Sequence, residues 1–273
     1  MNYNKKIFLT VSFVLTILLT GCSSSSTDDH LNMDHSQMQM GGKMIETTAV
    51  WNPNPAVPVA NSKVTIGLTV LDSSNKVMKD FDINHEKKVH MILISRDLNV
   101  FQHLHPMQSA DGSFSAETIL PQSGDYRLIA DYIPKGGMQM PKMDWWDDPN
   151  VPNDPTILTA DQVYDHTVDG LRVKLTIPFA KSKENIPLTF RFSDAASGDD
   201  VTNLEPYLGA VGHVVIVNPS LSVYLHTHPL DGATTGPEAT FEVTFPESGV
   251  YKLWGQFQRS GKVIVVPFVV NIP

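Results

Sequence analysis

The sequence has 273 residues and a single cysteine, Cys22. A lone thiol excludes an internal disulfide, a cysteine-built zinc site and an iron–sulfur cluster, so any bound metal must find other ligands. Charge is sparse at 18% of residues, and 20 Lys and Arg face 29 Asp and Glu for a net charge of -9. The missing basic footprint excludes a nucleic-acid binder and a protein held to anionic lipid by charge. No GxSxG, Walker or dinucleotide-binding signature is present, and no enzymatic activity is expected. What the chain does have is 41% hydrophobic residues with 19 Pro and 17 Gly scattered between short runs of Val, Ile, Thr and aromatics. That pattern predicts an all-β protein of short strands and tight turns.

The N-terminus predicts an address. Lys5 and Lys6 precede an apolar run of 14 residues, Ile7 to Thr20, short of the ~20 that a spanning helix needs. The run ends in Leu19-Thr20-Gly21-Cys22 before four serines, which resembles the lipobox of bacterial lipoproteins. The resemblance implies cleavage after residue 21, acylation of Cys22, and a product anchored by lipid on the outer face of the cytoplasmic membrane. Loss of Lys5 and Lys6 would make that product's net charge -11. Residues 22–44 then read as a tether, Ser-rich at first and His/Met-rich after. From His30 it runs HLNMDHSQMQMGGKM, placing Met33, His35, Met38 and Met40 in a segment too short of bulk to form a core. A second methionine group lies at Met138, Met140 and Met143.

The rest of the chain repeats itself. VHMILISRDLNVFQHLHP (Val89–Pro106) aligns without a gap to GHVVIVNPSLSVYLHTHP (Gly212–Pro229). His90, His103 and His105 in the first copy thus match His213, His226 and His228 in the second. LPQSGDYRL from Leu120 matches FPESGVYKL from Phe245, and each copy has a further strand-like run upstream, Lys63–Leu71 and Leu171–Pro178. Two tandem antiparallel β-sandwich domains follow, of immunoglobulin-like or cupredoxin-like type, at residues 45–140 and 161–273. The Pro- and Asp-rich stretch 141–160 is expected to be a linker or long loop.

Each histidine run reads as a hairpin. With turns at Ser95–Leu98 and Asn218–Leu221, His90 is expected across from His103 and His213 across from His226, with His105 and His228 on the same faces two residues further on. Three imidazoles per copy would then share one end of an apolar sandwich face (Ile92, Ile94 and Phe101; Val215, Val217 and Tyr224), within reach of a metal ion. His85 is either a fourth ligand for the first copy or exposed to solvent, and His166 is given no role.

Imidazoles alone suit zinc, copper or nickel, whereas thioethers select copper(I). MDHSQMQM (Met33–Met40) and MQMPKM (Met138–Met143) resemble the Met/His-rich motifs of bacterial copper-handling envelope proteins, and the paired domains resemble cupredoxin-like or YtkA-like modules. The resemblance implies copper as the ion, with zinc less favoured, and a copper transporter or cuproprotein as partner. Trp145 and Trp146 are expected to pack against a domain rather than cover copper. With Cys22 acylated, a blue-copper thiolate is excluded. Two alternatives stay open: a structural or adhesive envelope lipoprotein without metal, and a zinc-dependent hydrolase.

Overall fold

The computed structural model describes residues 43–152, 156–232 and 234–273. The signal segment, Cys22 and the tether residues Met33, His35, Met38 and Met40 lie outside them. Among the described residues no helix is long and apolar enough to cross a membrane.

Among the described residues, seventeen strands lie in four antiparallel sheets. The first repeat contains β1 (Thr47–Asn54), β2 (Ser62–Asp72), β3 (Phe81–Asp82), β4 (Val89–Ser95), β5 (Phe101–Leu104), β6 (Met107–Gln108), β7 (Phe114–Leu120), β8 (Tyr126–Pro134) and β9 (Lys142–Trp146). The second contains β10 (Asp165–Val168), β11 (Leu171–Thr176), β12 (Asn185–Asp194), β13 (Gly212–Val217), β14 (Tyr224–Thr227), β15 (Glu238–Thr244), β16 (Gly249–Arg259) and β17 (Lys262–Ile272). One sheet of the first repeat runs β1-β2-β7-β6 and the other β3-β8-β4-β5 with β9 also on β8; the second repeat has β10-β11-β12-β15 and β14-β13-β16-β17.

Strand alternation builds each core. In β2, Val64, Ile66, Leu68 and Val70 turn inward against Val89, Met91 and Leu93 of β4 and Leu128 and Tyr132 of β8. In the second repeat, Leu188, Phe190 and Phe192 of β12 meet Val214 and Ile216 of β13 and Phe257 of β16. The matched turns LPQSGDY and FPESGVY close with the same bond, Tyr126 Oη donating to the Gln122 carbonyl and Tyr251 Oη to the Glu247 carbonyl.

The two upstream runs are strands, β2 and β11; β2 is matched in the second repeat by β12, and β11 matches β1, because both β1 and β11 pair with the next strand and stand away from the histidine sheet. Two expectations change. The stretch 141–160 opens with a strand, since β9 pairs with β8 from Lys142↔Ala130 to Trp146↔Tyr126. The largest correction concerns the histidine face. Every residue of β4 and β13 is buried, because both faces of these strands are covered. Ile92, Ile94, Val215, Val217 and Tyr224 are not part of a sandwich core. With Leu98, Ile129, Leu221 and Trp254 they form a third apolar cluster, through which the two repeats pack against each other. Doubly covered strands read as continuous apolar runs, so the sequence carries little sign of which face belongs to which core.

Candidate metal centre

Hairpin register places the histidines. β4 pairs with β5 as Ile92↔His103 and Met91↔Leu104, and β13 with β14 as Val215↔His226 and Val214↔Thr227. The true register is therefore two residues from the expected one, so His103 and His226 do not lie across from His90 and His213. The cause is the turns, each of which takes in a left-handed residue, Leu98 at φ 62° and Leu221 at φ 55°, and so closes one residue later. A shift of two preserves the face, so the triplets survive it.

Within the first triplet the ring centroids of His90, His103 and His105 stand 4.7–5.3 Å apart, and within the second those of His213, His226 and His228 stand 4.6–5.4 Å apart. In each, one ring nitrogen per residue lies within 4.8 Å of the other two. The triplets also meet across the repeat interface, with His90 5.3 Å from His226 and His103 6.2 Å from His213. Six imidazoles thus form one cluster at one end of the apolar interface.

The bonds behind these rings fix which nitrogens carry hydrogen. His90 Nε2 donates to the Asn84 carbonyl at 2.9 Å and His213 Nε2 to the Tyr207 carbonyl at 3.0 Å. With the Gln256 carboxamide in its present orientation, His103 Nδ1 donates to Gln256 Oε1 at 3.0 Å, and His226 Nδ1 donates to Asp131 Oδ2 at 3.0 Å. In a neutral ring the other nitrogen is then a bare lone pair. These bare nitrogens face each other, His90 Nδ1 against His103 Nε2 at 2.9 Å and His213 Nδ1 against His226 Nε2 at 3.3 Å. Two acceptors at that distance repel unless a cation lies between them. Bonds of ~2.0–2.1 Å to one ion put two imidazole nitrogens about 2.9 Å apart at a right angle and about 3.3 Å apart at the tetrahedral angle. His105 Nε2 and His228 Nε2, the third members, are buried with no hydrogen-bond partner. The donor set fits a metal ion in each triplet.

Protons are poor substitutes for such an ion. Burial pulls His103, His213, His226 and His228 well below the ordinary 6.5 and His105 to about 4, and neighbouring imidazoles add to the effect. His90 is lowered by burial too, against the opposing Asn84 carbonyl bond. Burial raises the Asp131 carboxyl. Yet Asp131 accepts from Gln139 Nε2 at both oxygens and from Tyr224 Oη, an arrangement made for the ionised form. A carboxylate behind a histidine whose far nitrogen faces outward is the usual outer shell of a metal ligand.

The supporting groups cross between repeats. Asp131 stands opposite His90 on β8 but binds His226, and Gln256 stands opposite His213 on β16 but binds His103. Neither was foreseen, although extending the alignment of LPQSGDYRL with FPESGVYKL by three residues pairs Asp131 with Gln256. His85 serves neither expected purpose: it lies over the second repeat's triplet, stacked on His228 at 3.5 Å and edge-on to His213 at 5.2 Å.

The remaining expected residues lie elsewhere. In MQMPKM, Met143 packs into the apolar interface and Met138 is exposed, while Gln139 is the residue that reaches Asp131. Trp145 is covered by the Arg96 guanidinium at 3.8 Å, and Trp146 is buried with its Nε1 on the Ala56 carbonyl, so both tryptophans pack. His166 pairs with Asp161 at 3.0 Å, outside the cluster.

No curated protein matches the chain. Among solved structures, the Escherichia coli adhesin FdeC is similar at 15% identity and a TM-score of 0.26, over 85% of this chain and 66% of its own. The Yersinia pseudotuberculosis adhesin InvE follows at 13% and 0.25, over 82% of this chain and 59% of its own. A DUF3823 family protein from Bacteroides uniformis gives 14% and 0.24, over 74% and 96%. The chain thus spans less than two thirds of either adhesin, and likeness at these TM-scores carries no argument about function. The sequence does match one family over residues 46–144 and 166–273, well over half its length. The chain belongs to that family, a domain of unknown function designated DUF8832.

Proposed function

We propose that this protein is a lipid-anchored, extracytoplasmic copper-binding protein that captures, buffers or delivers copper in the bacterial envelope, without catalytic turnover. The observation that carries the metal reading is the pair of close contacts between bare imidazole nitrogens, His90 Nδ1 to His103 Nε2 and His213 Nδ1 to His226 Nε2. In this reading His90, His103 and His105 hold one ion and His213, His226 and His228 another. Imidazole donors accept copper or zinc alike, so the preference for copper rests on the methionines of the tether. Met33, His35, Met38 and Met40 make a capture arm that hands copper(I) to the fixed sites, and the Cys22 lipid keeps the chain at the membrane beside a copper transporter or cuproprotein.

The test is a titration of the full chain in detergent with copper(I), copper(II) and zinc, each competed against chelators of known affinity. Two tightly held copper ions per chain beyond those on the tether, lost stepwise in His103→Gln and His226→Gln, are expected. Preference for zinc with the arm irrelevant would replace copper by zinc. Binding no tighter than that of free histidine would leave the alternative, a structural or adhesive module in which the same interface only joins two sandwiches.

A further inference from the structure

The two triplets have the same donor atoms but different surroundings. Behind His226 stands the Asp131 carboxylate, fully buried, whose partner among the described ion pairs is His226 itself. Behind His103, at the equivalent position, stands the neutral carboxamide of Gln256, equally buried, with its own Nε2 unpartnered. A charged acceptor strengthens the donated bond and raises the basicity of the nitrogen that meets the metal, whereas a carboxamide offers only a dipole.

The turns before β4 and β13 widen the difference. Asn84–Lys87 and Tyr207–Ala210 are matching tight turns, each closed by a pair of backbone bonds, and the two central residues of each have positive φ: His85 at 44° and Glu86 at 65°, Leu208 at 53° and Gly209 at 74°. Non-glycine residues held there are strained. Each turn delivers a carbonyl to a ligand histidine, Asn84 to His90 and Tyr207 to His213. The first turn also sets the His85 ring against His213 and His228, where the second turn carries Leu208 at the matching position. The ammonium of Lys87 bears on His90 and His105, while Asp131 acts on His90 through its charge and accepts its hydrogen bond from His226.

We infer that the triplets are unequal sites filled in order, His213, His226 and His228 taking a divalent cation before His90, His103 and His105 do. This rests on the metal reading above and deepens it. Each repeat completes the other's site, so the first ion also fixes the interface on which the second site depends. With ring centroids as close as 5.3 Å between triplets, a second divalent ion meets the field of the first, which separates the two affinities further.

The experiment is a cobalt(II) titration of the full chain in detergent. It is followed by the ligand-field absorption of imidazole-bound cobalt and by imidazole NMR signals assigned with single His→Gln variants. Signals of His213, His226 and His228 are expected to change up to one equivalent, and those of His90, His103 and His105 between one and two. Asp131→Asn, which keeps the side chain's shape, is expected to weaken the first equivalent about 10- to 100-fold and bring the two steps together. Gln256→Glu, which supplies the missing carboxylate, should strengthen the second step and also reads the idea if Asp131→Asn fails to fold. Equal affinities, first-repeat signals changing first, or Asp131→Asn weakening both steps alike would overturn the inference while leaving two metal sites. If no imidazole signal responds to cobalt, the metal reading itself fails and the order with it.

Discussion

Trp254 is where packing and the candidate metal sites are joined most directly, so Trp254→Ala has a calculable effect on both. Its ring is 3% exposed and lies flat on Phe101 of the other repeat, with centroids 4.8 Å apart and planes 15° from parallel. It belongs to the apolar cluster between the repeats and is only two residues from Gln256, the acceptor behind His103. Truncating a buried tryptophan costs about 3–5 kcal/mol, the stacked pair accounting for roughly 0.5–1.5 of that. Domain stabilities are about 5–15 kcal/mol, so a loss of this size concentrated on the interface should uncouple the repeats. In urea, followed by circular dichroism and by fluorescence, the parent chain is expected to unfold in one step and Trp254→Ala in two. Because Asp131 and Gln256 reach their histidines only across that interface, the variant should also bind metal at least about 10-fold more weakly. A loss below about 1 kcal/mol, or unchanged metal affinity in a destabilised variant, would refute the coupling.

Other consequences concern protons and individual ligands. The metal-free chain should lose stability as pH falls below 6.5: the unfolded chain takes up protons there, while rings held at lower pKa do not, so the unfolded state binds more protons and gains. Each ring that stays neutral at pH 5.5 costs about 1.4 kcal/mol, and Asp131, raised by burial, acts in the opposite sense as a single group. Urea midpoints between pH 7.5 and 5 measure this, and a flat profile would contradict the buried neutral cluster. His105→Leu removes an unpartnered nitrogen; it should cost the metal-free chain less than about 1 kcal/mol yet abolish one equivalent of bound metal. Replacing Met33, Met38 and Met40 by Ser should slow copper(I) uptake and leave zinc binding as it was, as stopped-flow competition with a chelator would show.

Much of the site was legible because period two and a fixed spacing suffice to bring His90, His103 and His105 to one face, whatever the exact register. Reading the register itself needs the turn geometry. Leu98 and Leu221 adopt positive φ, which nothing in a leucine announces, and the expected pairing slipped by two. Which face of β4 and β13 meets the other repeat was equally hidden, because strands buried on both sides show no polar alternation. The supporting residues were invisible for another reason. Asp131 and Gln256 lie 26 to 43 residues from the triplet histidines of their own repeat and bind histidines of the other, so local patterns cannot find them, although their matched places in the repeat could. The tryptophans and Met143 show the converse: soft, aromatic side chains near a metal-like motif went to packing and cation–π contacts.

The central claim is that each triplet holds one ion at its imidazole nitrogens. Anomalous diffraction at the metal edge, from crystals of the full chain loaded with copper or zinc, tests it most directly. Two peaks are expected, one within bonding distance of His90 Nδ1, His103 Nε2 and His105 Nε2, the other of His213 Nδ1, His226 Nε2 and His228 Nε2. A well-ordered cluster with no peak at either triplet would contradict the account.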